Sequence, residues 1–370
     1  MTSSPSSTST STGTGTGTAS AGAEPPVHPV RVMSPEEIAV NAGPRAAPVR
    51  LPEPGLFAER ALRLRQLADG HAMRDYLLFA AALAQAQHEL LKQPRALKLP
   101  DETAVASAMV GGLPPVDALR HPREAVWREE LRALLDAIGR SSIPEPAQAL
   151  VAQLGGAEDA WLEQQAGALL AGGAPGLDPA AAPLIAAALQ VHWTRLVTQL
   201  QLRYDRSDQG ENLPPFGMID DPTVCPCCGS RPVASITRIA AEQSGQRFLA
   251  CSLCGAQWHY VRIKCTHCQG TKGISFQHLV DAGGKKAEAV AAECCESCGH
   301  YLKQVHMEKD LQVEPLADDL ATLTLDLLVG ELGLVRQGFN PLLVLGEPEA
   351  ARDSGPPGGV AASPPDPGGR

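Results

Sequence analysis

The sequence predicts a multi-module protein that joins a large α-helical part to a smaller part containing β-structure. Its 370 residues are too many for one small module, and 44% of them are hydrophobic, which can supply a sizeable core. Aromatic residues make up only 4%, while alanine and leucine dominate, a composition typical of packed helices. All ten cysteines fall between residues 225 and 298, so the second half of the chain differs in character from the first.

Both ends of the chain have low-complexity sequences. Residues 1–26 are rich in Ser, Thr and Gly, and residues 348–370 are rich in Pro and Gly. Such segments cannot bury enough apolar surface to offset the entropy of ordering, so we expect two disordered tails. The first lacks the basic and apolar regions of a secretory signal, and no apolar run in the chain is long enough to span a bilayer. We therefore expect a cytoplasmic protein without membrane insertion.

Residues 33–205 are predicted to form an α-helical domain. Ser34 and Glu37 can form a capping box, with Pro35 at the first helical position. Another helix should end before Pro94, and helical periods also run through REAVWREELRALLDAI and AAPLIAAALQVHWTRLVTQLQLRY. None of these segments shows a catalytic constellation, so we interpret them as the core of a helical bundle. The apolar stripe before Pro94 consists of Met73, Tyr76, Leu77, Ala80, Leu83 and Ala84.

After residue 205 a polar segment rich in Pro and Gly, DRSDQGENLPPFGMIDDP, is predicted to be a linker. Short β-like runs follow, namely PVASITRI, RFLACSL and WHYVRIKC. A final helix is predicted over PLADDLATLTLDLLVGEL, with aspartates off its apolar face. That face contains Leu316, Leu320, Leu323 and Leu327, and the aspartates are Asp318, Asp319 and Asp326.

Eight cysteines form four C-x-x-C pairs, which is the strongest signal in the sequence. A tight turn with this spacing directs two thiolates at one point, and two such turns complete a tetrahedral site of four sulfurs, as in rubredoxin and zinc ribbons. Glycine can adopt positive φ and so lets the backbone curl toward the sulfurs. The pairs are Cys225/Cys228, Cys251/Cys254, Cys265/Cys268 and Cys295/Cys298, and the glycines that follow them are Gly229, Gly255, Gly270 and Gly299.

The spacing of the pairs favours sequential pairing into two metal sites. Twenty-two residues separate Cys228 from Cys251, enough for a hairpin that returns the chain to the same point. Only ten residues separate Cys254 from Cys265, and the strand-like WHYVRIK within them would carry the chain away by about 23 Å. Iron and zinc both accept tetrahedral thiolate, so the pattern does not choose between them. We predict one site from Cys225, Cys228, Cys251 and Cys254 and another from Cys265, Cys268, Cys295 and Cys298.

Other residues of the cysteine region admit more than one interpretation. Cys227 and Cys294 are expected to be spare side chains beside ligands, the alternatives being a replacement ligand or a reactive thiol. His267 is expected to point away from the metal. Nearby cations are expected to offset the negative charge of the thiolate sites, the alternatives being nucleic-acid binding and the docking of a partner. Nucleic-acid binding is disfavoured by the net charge of −10 and the sparse aromatics. These cations are Arg231, Arg238, Arg247, Arg262, Lys264, Lys272, Lys285, Lys286 and Lys303.

At these residues the sequence resembles the FdhE-type formate dehydrogenase accessory proteins. The resemblance rests on CPCCGSRPVASI, RFLACSLCGAQWHYVRIKCTHC, ECCESCGHYLKQV and DDLATLTLDLLVGELGLVRQGFNPLL, and in the helical half on HAMRDYLLFAAALAQAQ. It covers about Met33 to Leu345. The four cysteine turns, with the strand of Trp258 between them, are its specific part, whereas the tails, Cys227 and Cys294 depart from it.

The resemblance implies a helical module followed by two rubredoxin-like modules, over residues 218–264 and 265–345, the second carrying the C-terminal helix. It implies iron at the two sites, and a non-enzymatic accessory factor needed to make active formate dehydrogenase, whose catalytic subunit is the implied partner. A rubredoxin-like electron carrier and a zinc-ribbon module that binds nucleic acid or protein are the alternatives. A homo-oligomer is compatible with the sequence.

Overall fold

The structure, a computed structural model, describes residues 49–141, 143–173, 175–205, 215–217, 219–239, 245–281 and 283–343. The two predicted tails, the capping box at Ser34 and most of the predicted linker lie outside these ranges. Among the described helices, none is both long and apolar enough to cross a bilayer. The helices before the cysteine region are α1 (Leu56–Leu67), α2 (Arg74–Lys92), α3 (Glu102–Val110), α4 (Val126–Gly139), α5 (Glu145–Gly155), α6 (Asp159–Leu170) and α7 (Ala182–Asp205).

The helical half is built around α7. Nearly every side chain from Ala182 to Val197 is buried, which explains why this helix is apolar around most of its circumference. Helix α4 packs against it, and Trp193 of α7 donates a hydrogen bond of 3.0 Å to the carbonyl of Val116. In α2 the predicted stripe is buried at Leu77, Ala80, Leu83 and Ala84, and the helix ends at Lys92, ahead of Pro94.

The cysteine half contains one mixed sheet with the strand order β1-β4-β3-β2-β7-β6-β5, and β8 pairs with β7. Neighbouring strands are antiparallel, except for the parallel pairs β2–β7 and β7–β8. Because β2 and β7 belong to different predicted modules, the two modules share a single sheet. The strands are β1 (Val49–Arg50), β2 (Pro232–Arg238), β3 (Gln246–Cys251), β4 (Gln257–His259), β5 (Ile274–Gln277), β6 (Val290–Cys295), β7 (His300–His306) and β8 (Val335–Arg336).

Strand β1 departs from the prediction of an entirely helical segment over residues 33–205. Val49 pairs with Trp258 and Arg50 with Gln257, so the start of the helical half adds an edge strand to the sheet. A run of two residues carries no readable alternation, and only its partner β4 gives it a strand conformation. The third β-like run is also shorter than predicted, because β4 ends at His259 and residues 262–263 form a turn.

The predicted C-terminal helix consists of two helices, α8 (Pro315–Ala321) and α9 (Leu323–Glu331), interrupted at Thr322 with φ −109° and ψ 34°. The interruption changes which apolar side chains face the core. Leu325 and Val329 are buried, whereas Leu327, which we expected on the apolar face, is 58% exposed. Leu316 and Leu320 are buried as expected.

The aspartates of this segment are not on a solvated face. Asp318 and Asp319 are both buried, and each meets a cation from another element. Asp318 binds Arg63 of α1, and Asp319 binds the buried Lys303 of β7 at 3.2 Å. Because α8 packs between α1 and strands β2 and β7, these ion pairs join the helical layer to the sheet.

Candidate metal centres

The first candidate centre is formed by Cys225, Cys228, Cys251 and Cys254, whose sulfurs all lie within 4.8 Å of one another. Two of the sulfur–sulfur distances are 3.6 Å (Cys225 to Cys254) and 3.4 Å (Cys228 to Cys251). A tetrahedral site with metal–sulfur bonds of about 2.3 Å has sulfurs about 3.8 Å apart. Four convergent thiols at nearly this spacing therefore fit a single tetrahedral metal ion.

The second candidate centre is formed by Cys265, Cys268, Cys295 and Cys298, again with all four sulfurs within 4.8 Å. The distances from Cys265 to Cys298 and from Cys268 to Cys295 are both 3.7 Å. Each group thus combines two turns that are consecutive in the chain, and both groups could hold a metal ion. The chain returns to each point through a strand pair, β2–β3 at the first centre and β5–β6 at the second.

Each cysteine turn reverses at the residue that follows its second cysteine. Gly229, Gly255 and Gly299 have φ of 74°, 74° and 70°, the left-handed region that favours glycine. In the third turn this position is occupied by Gln269, with φ 60°. We had predicted that Gly270 would adopt the positive φ of this turn, and it does not. The backbone hydrogen bond that closes the turn is kept, from Gln269 N to the Cys265 carbonyl at 3.0 Å.

The turns direct backbone amides at the sulfurs. The Cys251 sulfur accepts hydrogen bonds from the amides of Leu253 and Cys254, at 3.3 Å and 3.4 Å, and the Cys265 sulfur accepts one from His267 at 3.3 Å. Amide dipoles of this kind stabilise thiolate, the form that binds a metal.

The first centre is enclosed by the helical half. All four of its cysteines are buried, and they belong to the same apolar core as the helices. The loop after α3 covers the first turn, with Val116 N donating to the Cys227 carbonyl at 3.2 Å and Ala118 N to the Cys228 carbonyl at 2.8 Å. Four protein ligands that leave no position open to solvent are typical of a structural site.

The second centre lies at the surface. Cys265 and Cys295 are buried, but Cys268 is exposed and Cys298 is partly exposed. His267 is exposed, but it does not point away from the second centre, because one of its ring nitrogens lies within 4.8 Å of the Cys298 sulfur. Its ring stacks on that of His300, with centroids 3.6 Å apart and planes 8° from parallel.

Cys227 and Cys294 belong to neither four-sulfur group. Both are buried, and burial raises the pKa of the Cys227 thiol well above its usual range and that of Cys294 to about 11. The Cys294 thiol faces the Ala292 carbonyl at 3.5 Å. A protonated, buried thiol is a poor nucleophile, so the structure favours a packing role for both residues over a reactive one.

Within the part of the chain that the structure describes, two of the nine cations assigned to charge compensation form ion pairs with carboxylates. Arg247 is buried and pairs with Glu293 at 3.0 Å, and the buried Lys303 pairs with Asp319 and Asp326. Arg247 is nevertheless close enough to Cys265 for the two groups to interact electrostatically. Its guanidinium also donates to the Lys264 carbonyl at 3.1 Å, directly before the third turn.

Several residues that support the centres were missed by sequence reasoning. Gln190 and Thr194 of α7 donate to the carbonyls of Ser252 and Cys254, at 2.8 Å and 3.2 Å, inside the second turn. Tyr260 donates to the Cys265 carbonyl at 2.9 Å. The available signal was a cluster of polar residues in the middle of an otherwise apolar stretch of α7, namely Gln190, His192, Thr194 and Arg195.

Three family models together match most of the chain. The model described as FdhE, N-terminal, matches residues 46–208, FdhE, central domain, matches residues 224–262, and FdhE, C-terminal domain, matches residues 263–343. The central model thus contains the first four-cysteine group, and the C-terminal model contains the second.

Named relatives and a solved structure agree with these matches. A protein FdhE homolog of Stutzerimonas stutzeri is 38% identical over 298 residues, which is 80% of this chain and 92% of the relative. The protein FdhE of Escherichia coli (strain SMS-3-5) is 36% identical over 294 residues, covering 80% of this chain and 90% of the relative. The crystal structure of the FdhE protein from Pseudomonas aeruginosa matches with a TM-score of 0.70 at 37% identity, over 81% of this chain and 100% of that chain. The chain belongs to the FdhE family.

Proposed function

We propose that this protein is a non-enzymatic accessory factor that assembles or matures formate dehydrogenase, and that it holds a metal ion at each of its two four-cysteine centres. Iron is the proposed metal, with zinc as the alternative. The catalytic subunit of formate dehydrogenase is the proposed partner, in the cytoplasm. The observation that supports the proposal best is the pair of tetrahedral thiol groups in a chain of the FdhE family.

The two centres support different parts of this role. The first centre is buried against α7 and the loop after α3, so a metal there would fix the helical half to the sheet. The second centre exposes Cys268 and lies beside the stacked histidines, so a metal there would be within reach of a partner protein. A ferrous or ferric ion bound to four thiolates can supply one-electron chemistry, and a zinc ion can supply a structural link.

The test uses a cell that lacks its own copy of the accessory factor and therefore makes inactive formate dehydrogenase. We expect the wild-type chain to restore the activity and to co-purify with the catalytic subunit. Anaerobically purified protein should contain about two metal ions, and visible absorption of ferric thiolate distinguishes iron from zinc.

Two results would contradict the proposal. One is formate oxidation by the purified protein when no dehydrogenase is present. The other is recovery of nucleic acid and never of the dehydrogenase when the protein is purified from cells. As a matched control, replacement of Cys227 by alanine should leave the metal content and the restored dehydrogenase activity unchanged. This thiol lies in the first turn but outside both four-sulfur groups.

Electron transfer is a second candidate function, favoured by the exposure of the second centre. A redox centre must approach its partner closely, and Cys268 is exposed while Cys298 is partly exposed. A measured reduction potential, together with fast reduction by a physiological donor, would favour this function. An iron-free protein that still restores the dehydrogenase would exclude it.

A further inference from the structure

We propose that His267, His300 and Cys298 form an open binding position for a divalent transition-metal cation beside the second four-cysteine centre, with the Cys298 sulfur shared between the two. This inference rests on the proposed function, because it takes the second centre to be a metal site. The three ligand atoms lie within 4.8 Å of one another.

The chain brings the two histidines together through the cysteine turns themselves. His267 lies between Cys265 and Cys268 in the third turn, and His300 begins β7 directly after the fourth turn. When four sulfurs converge, both imidazoles are therefore placed on the same side of the centre, and their rings stack at 3.6 Å. Neither residue belongs to the four-sulfur group, so neither imidazole is already committed as a ligand there.

The hydrogen bonding of His300 suits a ligand. Its Nδ1 lies 2.8 Å from the Cys298 carbonyl, which can only accept a hydrogen bond, so Nδ1 carries the proton. The lone pair is then on Nε2. A histidine that donates one ring N–H to a backbone carbonyl and binds metal through the other nitrogen is the usual arrangement in metalloproteins.

The donor set indicates the class of cation. Two imidazoles and one thiolate suit borderline cations such as Zn²⁺ or Fe²⁺ and not Mg²⁺ or Ca²⁺, which prefer oxygen. Three protein ligands leave a fourth position for water, which is typical of open sites. His267 is exposed and the other two residues are partly exposed, so a cation can enter from solvent.

Electrostatics favour a second cation here once the first is bound. A divalent ion with four thiolates carries a net charge of roughly −2, which attracts a further cation to its edge. Arg231 lies near His267 and opposes this attraction with one positive charge. The lone pairs of two stacked rings lie in separate parallel planes and cannot both point at one cation, so binding requires the stack to open. Exposed His267 is the ring that can turn.

The experiment is a titration of metal-free, reduced protein with Co²⁺ alone, followed by visible absorption and equilibrium dialysis. The wild-type chain should take up two equivalents at the cysteine centres and a third, more weakly. The variant His267→Ala/His300→Ala should keep the first two equivalents and lose the third, or bind it about tenfold or more weakly. The variant His259→Ala/His278→Ala is the control, because neither histidine belongs to a ligand cluster among the described residues.

The outcomes separate this inference from the proposed function. Saturation of the wild-type chain at two equivalents overturns the open position and leaves the two cysteine centres in place. A third equivalent that survives in the His267→Ala/His300→Ala variant, or is lost equally in the control, also overturns it. If the wild-type chain binds no Co²⁺ in thiolate surroundings, the proposed metal function fails as well.

Discussion

The side-chain amide of Gln190, in the middle of α7, donates a hydrogen bond of 2.8 Å to the carbonyl of Ser252, inside the second cysteine turn. Gln87 of α2 donates in turn to the Gln190 amide oxygen at 2.9 Å, so a buried polar chain runs from the helical bundle to the first candidate metal centre. Since a buried polar group without a partner is costly, this chain holds the turn in a fixed position on the bundle.

Replacing Gln190 with leucine should therefore weaken the attachment of the first centre. The substitution leaves the Ser252 carbonyl without a partner, at a cost of about 1–3 kcal/mol. It also removes one of the two hydrogen bonds donated by the Gln87 side chain, which keeps its bond to the Ala187 carbonyl. We expect a lower free energy of unfolding in urea and faster loss of one of the two metals to a chelator. Gln85→Leu, on the exposed side of α2, is the control. Equal acceleration of the release of both metals would show that Gln190 acts on global stability only.

Serine substitutions should separate the two centres. Cys225→Ser with Cys228→Ser is expected to remove about one of the two metals and to lower the thermal midpoint by more than about 10 °C, because the first centre lies in the common core. Cys265→Ser with Cys268→Ser should remove the other metal and lower the thermal midpoint by less, since the second centre lies at the surface. Metal analysis and thermal denaturation measure both effects.

The same variants test the sequential pairing. Adding Cys251→Ser and Cys254→Ser to the first double variant should remove no further metal, whereas a second site that empties while the chain stays folded would refute the pairing. Cys227→Ala should retain both metals, because its thiol is outside the group of four.

Glycines of the cysteine turns should differ in their tolerance of alanine. Gly255 and Gly299 have nearly the same φ, 74° and 70°, so the conformational strain of about 1–2 kcal/mol is common to both. A β-carbon on Gly255 would come within 2.4 Å of Leu56 Cδ2, whereas one on Gly299 would meet nothing within 4 Å. Urea unfolding should show a larger decrease in the free energy of unfolding for Gly255→Ala than for Gly299→Ala. Adding Leu56→Ala to Gly255→Ala should restore part of that decrease. Equal losses at the two glycines would exclude the steric explanation.

Gln269 should be a site where glycine stabilises the protein. It is the one non-glycine residue with positive φ among the described residues. Holding a non-glycine residue in this conformation costs on the order of 1 kcal/mol. We expect Gln269→Gly to raise the free energy of unfolding of the metal-loaded protein by up to about 1 kcal/mol, less the entropy that glycine adds to the unfolded chain. Gln269→Ala is the control, since it removes the contact with Lys264 but keeps the strain. Equal effects of the two substitutions would contradict this account.

Asp319 should contribute to the loss of stability in acid. Burial raises the pKa of Asp319, but Arg336 and Lys303 lower it by more, so that it lies below its ordinary value of 3.8. A depressed carboxyl pKa stabilises the fold above the unfolded-state pKa, and this contribution disappears as the pH falls through the folded-state pKa. Asp319→Asn should lower the free energy of unfolding by about 3–5 kcal/mol at pH 7, because Lys303 and Arg336 then lose one of their carboxylate partners.

The measurement is urea unfolding of the wild type and of Asp319→Asn between pH 7 and pH 3. The difference in free energy between the two proteins should shrink below about pH 4. Metal release in acid affects both proteins equally and cancels in the difference. A difference that is constant over this range would contradict the assigned role of Asp319.

Much of the fold and of the centres could be read from local patterns. The apolar stripe of α2, its end before Pro94 and the four cysteine turns each depend on residues close together in the chain, where propensity and spacing act directly. The strand pairing of residues 49–50 and the break at Thr322 could not be read this way. A two-residue strand exists only because β4 is beside it, and the break is stabilised by the packing of α8 and α9 on different surfaces.

The sequence by itself picked out the eight cysteines of the two candidate centres, because a C-x-x-C turn fixes two thiols through local geometry alone. Only the tertiary structure decided that one centre is buried and the other exposed, since burial depends on whether the helical half covers a turn. It also decided that Asp318 and Asp319 are buried: Arg63, Lys303 and Arg336 come from distant elements and compensate charges that a helical pattern alone places in solvent.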